Sequence, residues 1–292
     1  MQAEPDAASR PRADGDPFRR ARPPTDDPEE LRAAARRIRR RALQMVAPAG
    51  AGYLGQAFSS AELFAVLYRS VLRHGWDRFV LSPGHYVIAH YAAAAEAGLL
   101  DEEDLASYGA DGSPIESISS ERTPLVAATC GSLGQELSVA AGLALADQLA
   151  GVDRRVFVLC SDGELEEGQT WEAAMFAAHH RLGSLVAVVD CNGSQVDGAV
   201  STVTTLEPLA DKWRAFGWHA EEVDGHDVVA LDRALAAALA DSRPSAVVAR
   251  TSVVTGPAGL VPAGDSHFVK VTPDQVAQAL AALDGPAGGG AP

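Results

Sequence analysis

Two polar side chains, Asp162 and Asn192, follow two successive apolar runs in the middle of the sequence. Asp162 comes just after the run 156–160, and Asn192 comes just after the run 185–189. Short apolar runs are typical of buried parallel strands, whose carboxyl ends meet at one edge of a sheet. A carboxylate and an amide oxygen at this edge would suit Mg2+, which completes its shell with phosphate oxygens and water. The pattern predicts a metal-bridged diphosphate site.

The glycine after the aspartate supports this interpretation. Gly163 has no side chain and lets the backbone approach a phosphate closely. Asp-Gly and Asn-Gly pairs are also common in ordinary turns, and Asp-Gly alone would favour a turn. Their placement at the ends of two successive strands favours the site.

The elements around these residues predict a βαβ unit and further loops at the same edge. A helix is expected at about 169–182 between the two strands. A strand at 78–82 leads into Pro83-Gly84-His85, and small residues at 129–136 precede a helix at 137–149. Small residues at a helix N-terminus expose backbone N–H groups to an anion. Earlier, a glycine-rich loop at 49–55 precedes Ser59 and Glu62, whose spacing predicts a capping box.

The remaining pattern predicts the fold class. Strands are expected at 219–223 and 245–250, with helices between and after them, and 108–128 reads as a long loop. The order indicates an α/β fold with a doubly wound, mostly parallel sheet flanked by helices. The predicted domain covers 29–284, and the composition of 1–28 and 285–292 predicts disordered tails.

Composition excludes several classes of function. The chain has 292 residues, of which 47% are hydrophobic, and a net charge of −15, which argues against nucleic-acid binding. No stretch is apolar enough for a membrane span, and the N-terminus lacks a secretory signal pattern. Cys130, Cys160 and Cys191 lack metal-site spacing and are interpreted as reduced thiols of a cytoplasmic protein.

Several motifs together resemble those of transketolases. The sequence D-G-E-L-x-E-G-Q-x-W-E-A starts at Asp162 and is followed by V-D-x-N and Q-x-D-G. The segments S-P-G-H at 82–85, G-S-L-G-Q at 131–135 and V-D-G-H-D at 223–227 occur in the family's order. The resemblance covers about 30–280 and implies the diphosphate-binding (PP-type) domain of thiamine-diphosphate enzymes.

The resemblance implies roles for individual residues. Mg2+, or Ca2+ or Mn2+ in its place, would be held by Asp162, Asn192 and the backbone carbonyl near Ser194. Thiamine diphosphate would contact His85, Gly131, Leu133, Asp162, Gly163, Glu164, Asn192 and His267. The expected catalytic residues are His85, Glu167, His267, Tyr53 and Ser113.

Some family positions differ in this chain. Tyr53 and Ser113 stand where transketolases carry histidines, and Glu136 replaces a glycine. Tyrosine keeps a hydroxyl but does not exchange protons near neutral pH as imidazole does. Glu167 and Glu172 match acidic positions that face a second subunit, although Glu172 is equally consistent with a solvated helix face.

The implied activity requires a second chain. The sequence lacks the pyrimidine-binding domain and the third domain of full transketolases, so it resembles the N-terminal subunit of a split transketolase. With a C-terminal partner, expected in an α2β2 assembly, it would transfer a two-carbon ketol unit from a ketose, such as a sugar or sugar phosphate, to an aldehyde. Two alternatives stay open: transfer to a carrier protein or another unusual acceptor, and a catalytically silent partner subunit.

Overall fold

The computed structural model describes residues 17–262 and 266–284, and its centre is a parallel sheet of six strands. The strands are β1 (Arg78–Pro83), β2 (Ala128–Cys130), β3 (Val156–Ser161), β4 (Leu185–Cys191), β5 (His219–Asp224) and β6 (Ser245–Arg250). Their order across the sheet is β2-β1-β3-β4-β6-β5, and every neighbouring pair is parallel. Parallel strands bring all six carboxyl ends to the same edge.

Helices cover both faces of the sheet. They are α1 (Pro28–Val46), α2 (Leu54–Ser59), α3 (Ala61–Val66), α4 (Val87–Glu96), α5 (Glu102–Leu105), α6 (Glu136–Leu149), α7 (Gly168–His179), α8 (Val200–Val203), α9 (Leu209–Ala215), α10 (Val228–Ala240) and α11 (Pro273–Asp284). A π-helical turn, Leu67–Val71, follows α3, and 3-10 turns occupy Pro17–Arg20, Gly84–Tyr86 and Gly163–Glu166. Two short antiparallel pairs join Ala51–Gly52 to Val269–Lys270 and Ser194–Gln195 to Gly198–Ala199.

Alternating residues of the strands divide the core into two layers. Phe157 and Leu159 of β3 belong to the layer that contains α1, α3, α4 and α10. Val158 and Cys160 point to the opposite layer, with α6, α7 and α9. Because side chains alternate along a strand, an apolar run buries residues on both sides of the sheet. The predicted doubly wound α/β fold is confirmed.

The chain changes its direction of travel across the sheet between β1 and β3. From β1 the chain passes to β2 at one edge and then returns to β3 on the other side of β1. Connections that leave in opposite directions open a crevice at the carboxyl ends of the two strands. Asp162 follows β3, and Gly84 and His85 follow β1, so the predicted chemical residues lie at this crevice.

Two local expectations are corrected. Ser59 does not cap a helix: it is the last residue of α2, it is buried, and its hydroxyl donates to Asp190 over 2.6 Å. Glu62 instead forms a buried ion pair with Arg39, with N–O distances of 2.6 Å. Long-range polar partners at these positions outweigh the local capping pattern.

Residues 17–27, which the sequence predicts to be part of a disordered tail, contact the folded domain. The backbone N–H of Arg22 donates to Ala97, and that of Thr25 donates to Arg69, over 2.8 and 2.7 Å. Phe18 packs against the core at Gly75. These contacts correct the expectation of disorder for 17–27, while 1–16 and 285–292 lie outside the described residues.

Two arginines of α1 donate hydrogen bonds to one buried carboxylate. Glu96, at the end of α4, accepts hydrogen bonds from Arg37, Arg41 and Arg22, at distances from 2.6 to 3.2 Å. Burial acts to raise the pKa of Glu96, but the hydrogen bonds and charges of Arg37 and Arg41 hold this pKa below its ordinary value. The side chains of Arg37 and Arg41 on α1 therefore have a structural role.

Within the described residues, every helix is too short or too polar to traverse a lipid bilayer.

We predict that Glu96→Gln lowers the free energy of unfolding by about 2 kcal/mol at neutral pH, because it removes the charge that compensates the arginines. That value is below the cost for a fully buried pair, because Arg37 and Arg22 are partly exposed to solvent. The measurement is denaturant unfolding of the two proteins.

The control for this prediction is Glu29→Gln, which removes an exposed partner of Arg32 and should cost less than about 0.5 kcal/mol. A lowered carboxyl pKa contributes stability above the ordinary glutamate pKa of about 4 and loses it at lower pH. The difference between wild type and Glu96→Gln should therefore shrink below about pH 4. Equal stabilities at pH 7 would contradict the assignment.

Candidate active site

A cavity of about 390 Å³ opens at the carboxyl edge of the sheet. Strand ends supply most of its wall, and the rest comes from the start of α2 and from the segment after Ser266. The lining residues are Tyr53, Gln56, Gly84, His85, Tyr86, Ile118, Gly131, Leu133, Ser161, Gly163, Glu164, Glu166, Glu167, Ser194, Gln195, Val196, Asp197 and His267. The cavity therefore brings together most of the residues singled out from the sequence.

Asp162 and Asn192 do not themselves line the cavity. Asp162 lies between the lining residues Ser161 and Gly163 and is 1% exposed, and Asn192 lies two positions before the lining residue Ser194. Oδ1 of Asp162 accepts the N–H of Gly163 over 3.0 Å, and its Oδ2 accepts the N–H of Gly193 over 2.6 Å. Burial, followed by the charge of Asp190, raises the pKa of Asp162 to about 7. A carboxylate in this position is stabilised when a cation is placed beside it.

The loop after β4 carries a second set of oxygens next to Asp162. The Oδ1 of Asn192 accepts the N–H of Ser194 over 2.9 Å, which closes a tight turn. The hydroxyl of Ser194 bonds to that of Ser266 over 2.8 Å. Gln195, on the short hairpin that follows, has a buried Oε1 without a hydrogen-bond partner among the described residues. An unpaired buried oxygen at the cavity wall is available to a donor or a cation.

Two histidines and one tyrosine form an aromatic part of the cavity wall. The rings of His85 and His267 lie 4.9 Å apart, and Tyr53 lies 5.3 and 5.5 Å from them. Phe268 packs on Tyr53 edge to face at 5.1 Å. Burial, and then the charge of His267, lowers the pKa of His85 to about 3, so His85 is neutral at physiological pH.

The position of His267 is set by α2. The side-chain amide of Gln56 lies 2.9 Å from Nδ1 of His267, within hydrogen-bond distance, and holds the ring next to α2. A side chain at Gly55 would place its Cβ 2.3 Å from the carbonyl oxygen of Ser266, closer than any side chain tolerates. Glycine at 55 therefore allows the segment of His267 to dock on α2.

Acidic groups line the side of the cavity nearest β2 and α7. Glu164 is buried and accepts from Ser82 and from the N–H of Gly134. Burial is the main reason that the pKa of Glu164 rises to about 7. Gly134 has φ +81°, and a Cβ there would lie 2.5 Å from Cβ of Glu167. This close approach holds the exposed Glu167 at the N-terminus of α7, beside the cavity.

Ser113 is not at this site, which corrects its assignment as a catalytic residue. Its hydroxyl bonds to that of Ser107 over 2.7 Å and accepts the N–H of Ile115 over 3.0 Å. These bonds direct the Ser113 hydroxyl toward neighbouring residues of the same loop. Ile118, further along the loop 108–128, reaches the cavity instead.

Sequence reasoning missed several residues that line the cavity. Tyr86 follows His85, Gln56 lies one helical turn after Tyr53, and Gln195, Val196 and Asp197 continue the loop of Asn192. These residues could have been predicted because they lie close in sequence to residues already assigned to the site. The exposed Glu172 does not line the cavity.

The residues present fit a divalent cation and a diphosphate. The buried carboxylate of Asp162 lacks a compensating cation at hydrogen-bond distance among the described residues, and Asn192 adds a neutral oxygen. No group of three His, Cys, Asp or Glu side chains within 17–262 and 266–284 could hold a metal ion. A cation here would therefore take its other ligands from backbone carbonyls, phosphate oxygens and water.

Comparison with known proteins identifies the family. The family described as transketolase, thiamine diphosphate binding domain, matches residues 31–284. A transketolase family protein of Sinorhizobium fredii is 40% identical over 262 residues, covering 86% of this chain and 94% of the relative. A 6-deoxy-6-sulfo-D-fructose transketolase subunit of Clostridium is 37% identical over 87% of this chain and 96% of its own length.

Solved structures show the same fold. The transketolase from Leishmania mexicana has a TM-score of 0.80 and 31% sequence identity over 87% of this chain. This chain spans 41% of that protein's length. The chain belongs to the transketolase family, in which it represents the thiamine-diphosphate-binding domain.

Proposed function

We propose that this chain is the N-terminal subunit of a two-component transketolase. In this proposal it binds thiamine diphosphate through a divalent cation and transfers two-carbon ketol units together with a partner chain. The observation that carries the proposal is Asp162, buried beside Asn192 at the sheet crevice and in need of a cation. The relatives from Clostridium and from Actinobacillus succinogenes are named as transketolase subunits, and this chain covers 96% of each.

The residues divide the binding work. Asp162, Asn192 and the backbone carbonyl of Ser194 would hold Mg2+, while backbone atoms at Gly131, Leu133 and Gly163 and the side chain of Glu164 would contact the cofactor. When bound, thiamine diphosphate supplies a carbanion that cleaves and forms carbon–carbon bonds next to a carbonyl.

His85 is suited to hydrogen bonding rather than to fixed charge. It is neutral, so its ring can donate to a phosphate oxygen and accept elsewhere. His267 lines the cavity beside it and is held by Gln56, so it would face the cofactor. Tyr53 orients both rings through its contacts and offers a hydroxyl to the substrate.

Exposed apolar residues at the mouth of the cavity support a partner. Val196 is 74% exposed, and Ile118 and Leu133 are about 40% exposed, yet all three line the cavity. Apolar side chains around an open polar site favour coverage by another surface. We propose a C-terminal subunit that carries the pyrimidine-binding domain, in an α2β2 assembly, with the acidic Glu167 facing it.

The substrates proposed are a ketose donor and an aldehyde acceptor of the sugar or sugar-phosphate class. The relatives are named for different sugars, 6-deoxy-6-sulfo-D-fructose and apulose 4-phosphate. Tyr53, on which Phe268 packs, gives the cavity an aromatic wall, which supports a specialised substrate. The three free cysteines support a cytoplasmic location.

We predict that Asp162→Asn weakens Mg2+-dependent binding of thiamine diphosphate about 100-fold or more, because the charged metal ligand is lost. Titration calorimetry with thiamine diphosphate and Mg2+ measures this. Asp211→Asn, which changes an exposed carboxylate on α9, is the matched control and should bind as wild type.

The same variant should be more stable than wild type without cofactor. A carboxyl pKa raised from 3.8 to about 7 means that the charged form is disfavoured in the fold, increasingly as pH rises from 4 to 7. Asp162→Asn should therefore raise the free energy of unfolding at pH 8 by about 1–2 kcal/mol and change it less at pH 4. Reduced stability with unchanged cofactor affinity would contradict the site.

We predict that activity requires the partner. The purified chain should show no turnover of ketose and aldehyde panels by mass spectrometry, and addition of a chain with the pyrimidine-binding domain should restore it. Val196→Asp should weaken this complex because it places a charge in an apolar contact, whereas Val229→Asp, at a valine outside the cavity that is also exposed, should not. Full turnover by the chain alone would refute the two-component proposal.

A further inference from the structure

Asp190 is a fully buried carboxylate at the end of β4, and four neutral side chains donate to it. Its Oδ2 accepts from Ser59 Oγ over 2.6 Å, from Tyr86 Oη over 2.7 Å and from Asn192 Nδ2 over 2.9 Å. Its Oδ1 accepts from the hydroxyl of Thr251. The donors are concentrated on Oδ2, which is the oxygen that contacts Asn192.

The network dictates the orientation of the Asn192 amide. Nδ2 of Asn192 donates toward Asp190 over 2.9 Å and toward the Tyr86 hydroxyl over 3.0 Å. A flipped amide would put Oδ1 against the carboxylate of Asp190, where two acceptors repel. Oδ1 must therefore point to the other side, where it accepts from Ser194 and where the cation is proposed.

Tyr86 closes this arrangement from a different strand. It is 1% exposed, and it follows β1, whereas Asp190 and Asn192 belong to β4 and its end. Its hydroxyl donates to Asp190 and accepts from Asn192, so one group links the carboxylate and the amide. Ser59 of α2 and Thr251 after β6 hold the same carboxylate from two further elements.

We propose that Tyr86 and Asp190 are positioning residues that hold the Asn192 oxygen in the geometry of a small divalent cation. The proposal rests on the function proposed above. Mg2+ demands near-ideal octahedral geometry, whereas Ca2+ accepts irregular and larger shells. A rigid amide oxygen therefore favours Mg2+, and a loosened one reduces that preference.

The test is Tyr86→Phe, which removes one hydroxyl and keeps the ring. In the complex with the partner subunit, Mg2+ and Ca2+ are titrated at fixed thiamine diphosphate, and binding is followed by calorimetry. Mg2+ affinity should fall about 10-fold, as is typical when an outer partner of a metal ligand is lost. Ca2+ affinity should fall less, so the Mg2+/Ca2+ preference decreases.

Tyr68→Phe is the matched control. Tyr68 is also buried, and its hydroxyl bonds His90 over 2.6 Å in the apolar layer. Loss of this hydroxyl removes a buried hydrogen bond of the same kind and should leave both metal affinities as in wild type. A general loss of stability would affect Tyr68→Phe and Tyr86→Phe alike, whereas positioning affects Tyr86→Phe alone.

Ser59→Ala gives a second, milder perturbation. It removes one donor to Asp190 without touching Asn192 and should lower the Mg2+/Ca2+ preference in the same direction by a smaller factor. An unchanged preference in both Tyr86→Phe and Ser59→Ala overturns the positioning role. If wild type itself shows no metal-dependent binding of thiamine diphosphate, both the positioning role and the proposed function are overturned.

Discussion

The buried carboxylate of Asp162 is the constraint on which the rest of the site depends. It lies where the chain reverses its travel across the sheet, next to the carboxyl group of Asp190 on the neighbouring strand. Two backbone N–H groups, from Gly163 and Gly193, are its hydrogen-bond donors. Such a group is unfavourable in a folded protein unless a cation compensates it. Without a cation, the buried Asp162 carboxylate therefore has an unfavourable free energy, which the proposed cation would offset.

The surrounding structure gives the two carboxylates different hydrogen-bond partners. Asp190 accepts from four neutral side chains, whereas Asp162 accepts from two backbone N–H groups. The difference follows from position, because Asp190 is covered by α2, the turn after β1 and the segment after β6. Asp162 follows β3 at the crevice. Two acidic residues of one sheet edge therefore serve as a structural hub and as a candidate metal ligand.

The two parts of the cavity differ: one is formed by strand ends of this chain, and the other is bordered by exposed apolar side chains. The strand ends, the neutral His85 and the backbone N–H groups are in place without help from another chain. At the mouth, Val196, Ile118 and Leu133 are exposed. This asymmetry agrees with a division of work in which one subunit anchors the diphosphate and a second covers the reactive part of the cofactor.

The sheet and the two strand-end residues could be predicted because their signals are local. Short apolar runs require burial on both faces, and Asp162 and Asn192 follow them directly in the chain. Ser59 and Ser113 could not be placed this way. Ser59 finds Asp190, 131 positions away, and Ser113 turns back into its own loop. The capping pattern at Ser59 and the family pattern at Ser113 do not specify which hydrogen-bond partner each hydroxyl takes in the folded protein.

The sequence alone was sufficient for the fold class and the strand ends, since these depend on periodicity and on neighbours in sequence, while the anchoring role of Asp162 and Asn192 stays a prediction. Tertiary structure decided which side chains donate to Asp190, which way the Asn192 amide faces, and that Tyr86 joins the two. It also decided that His267 meets His85 across 4.9 Å. These features depend on contacts between distant segments, whose distances are set only when the elements pack together.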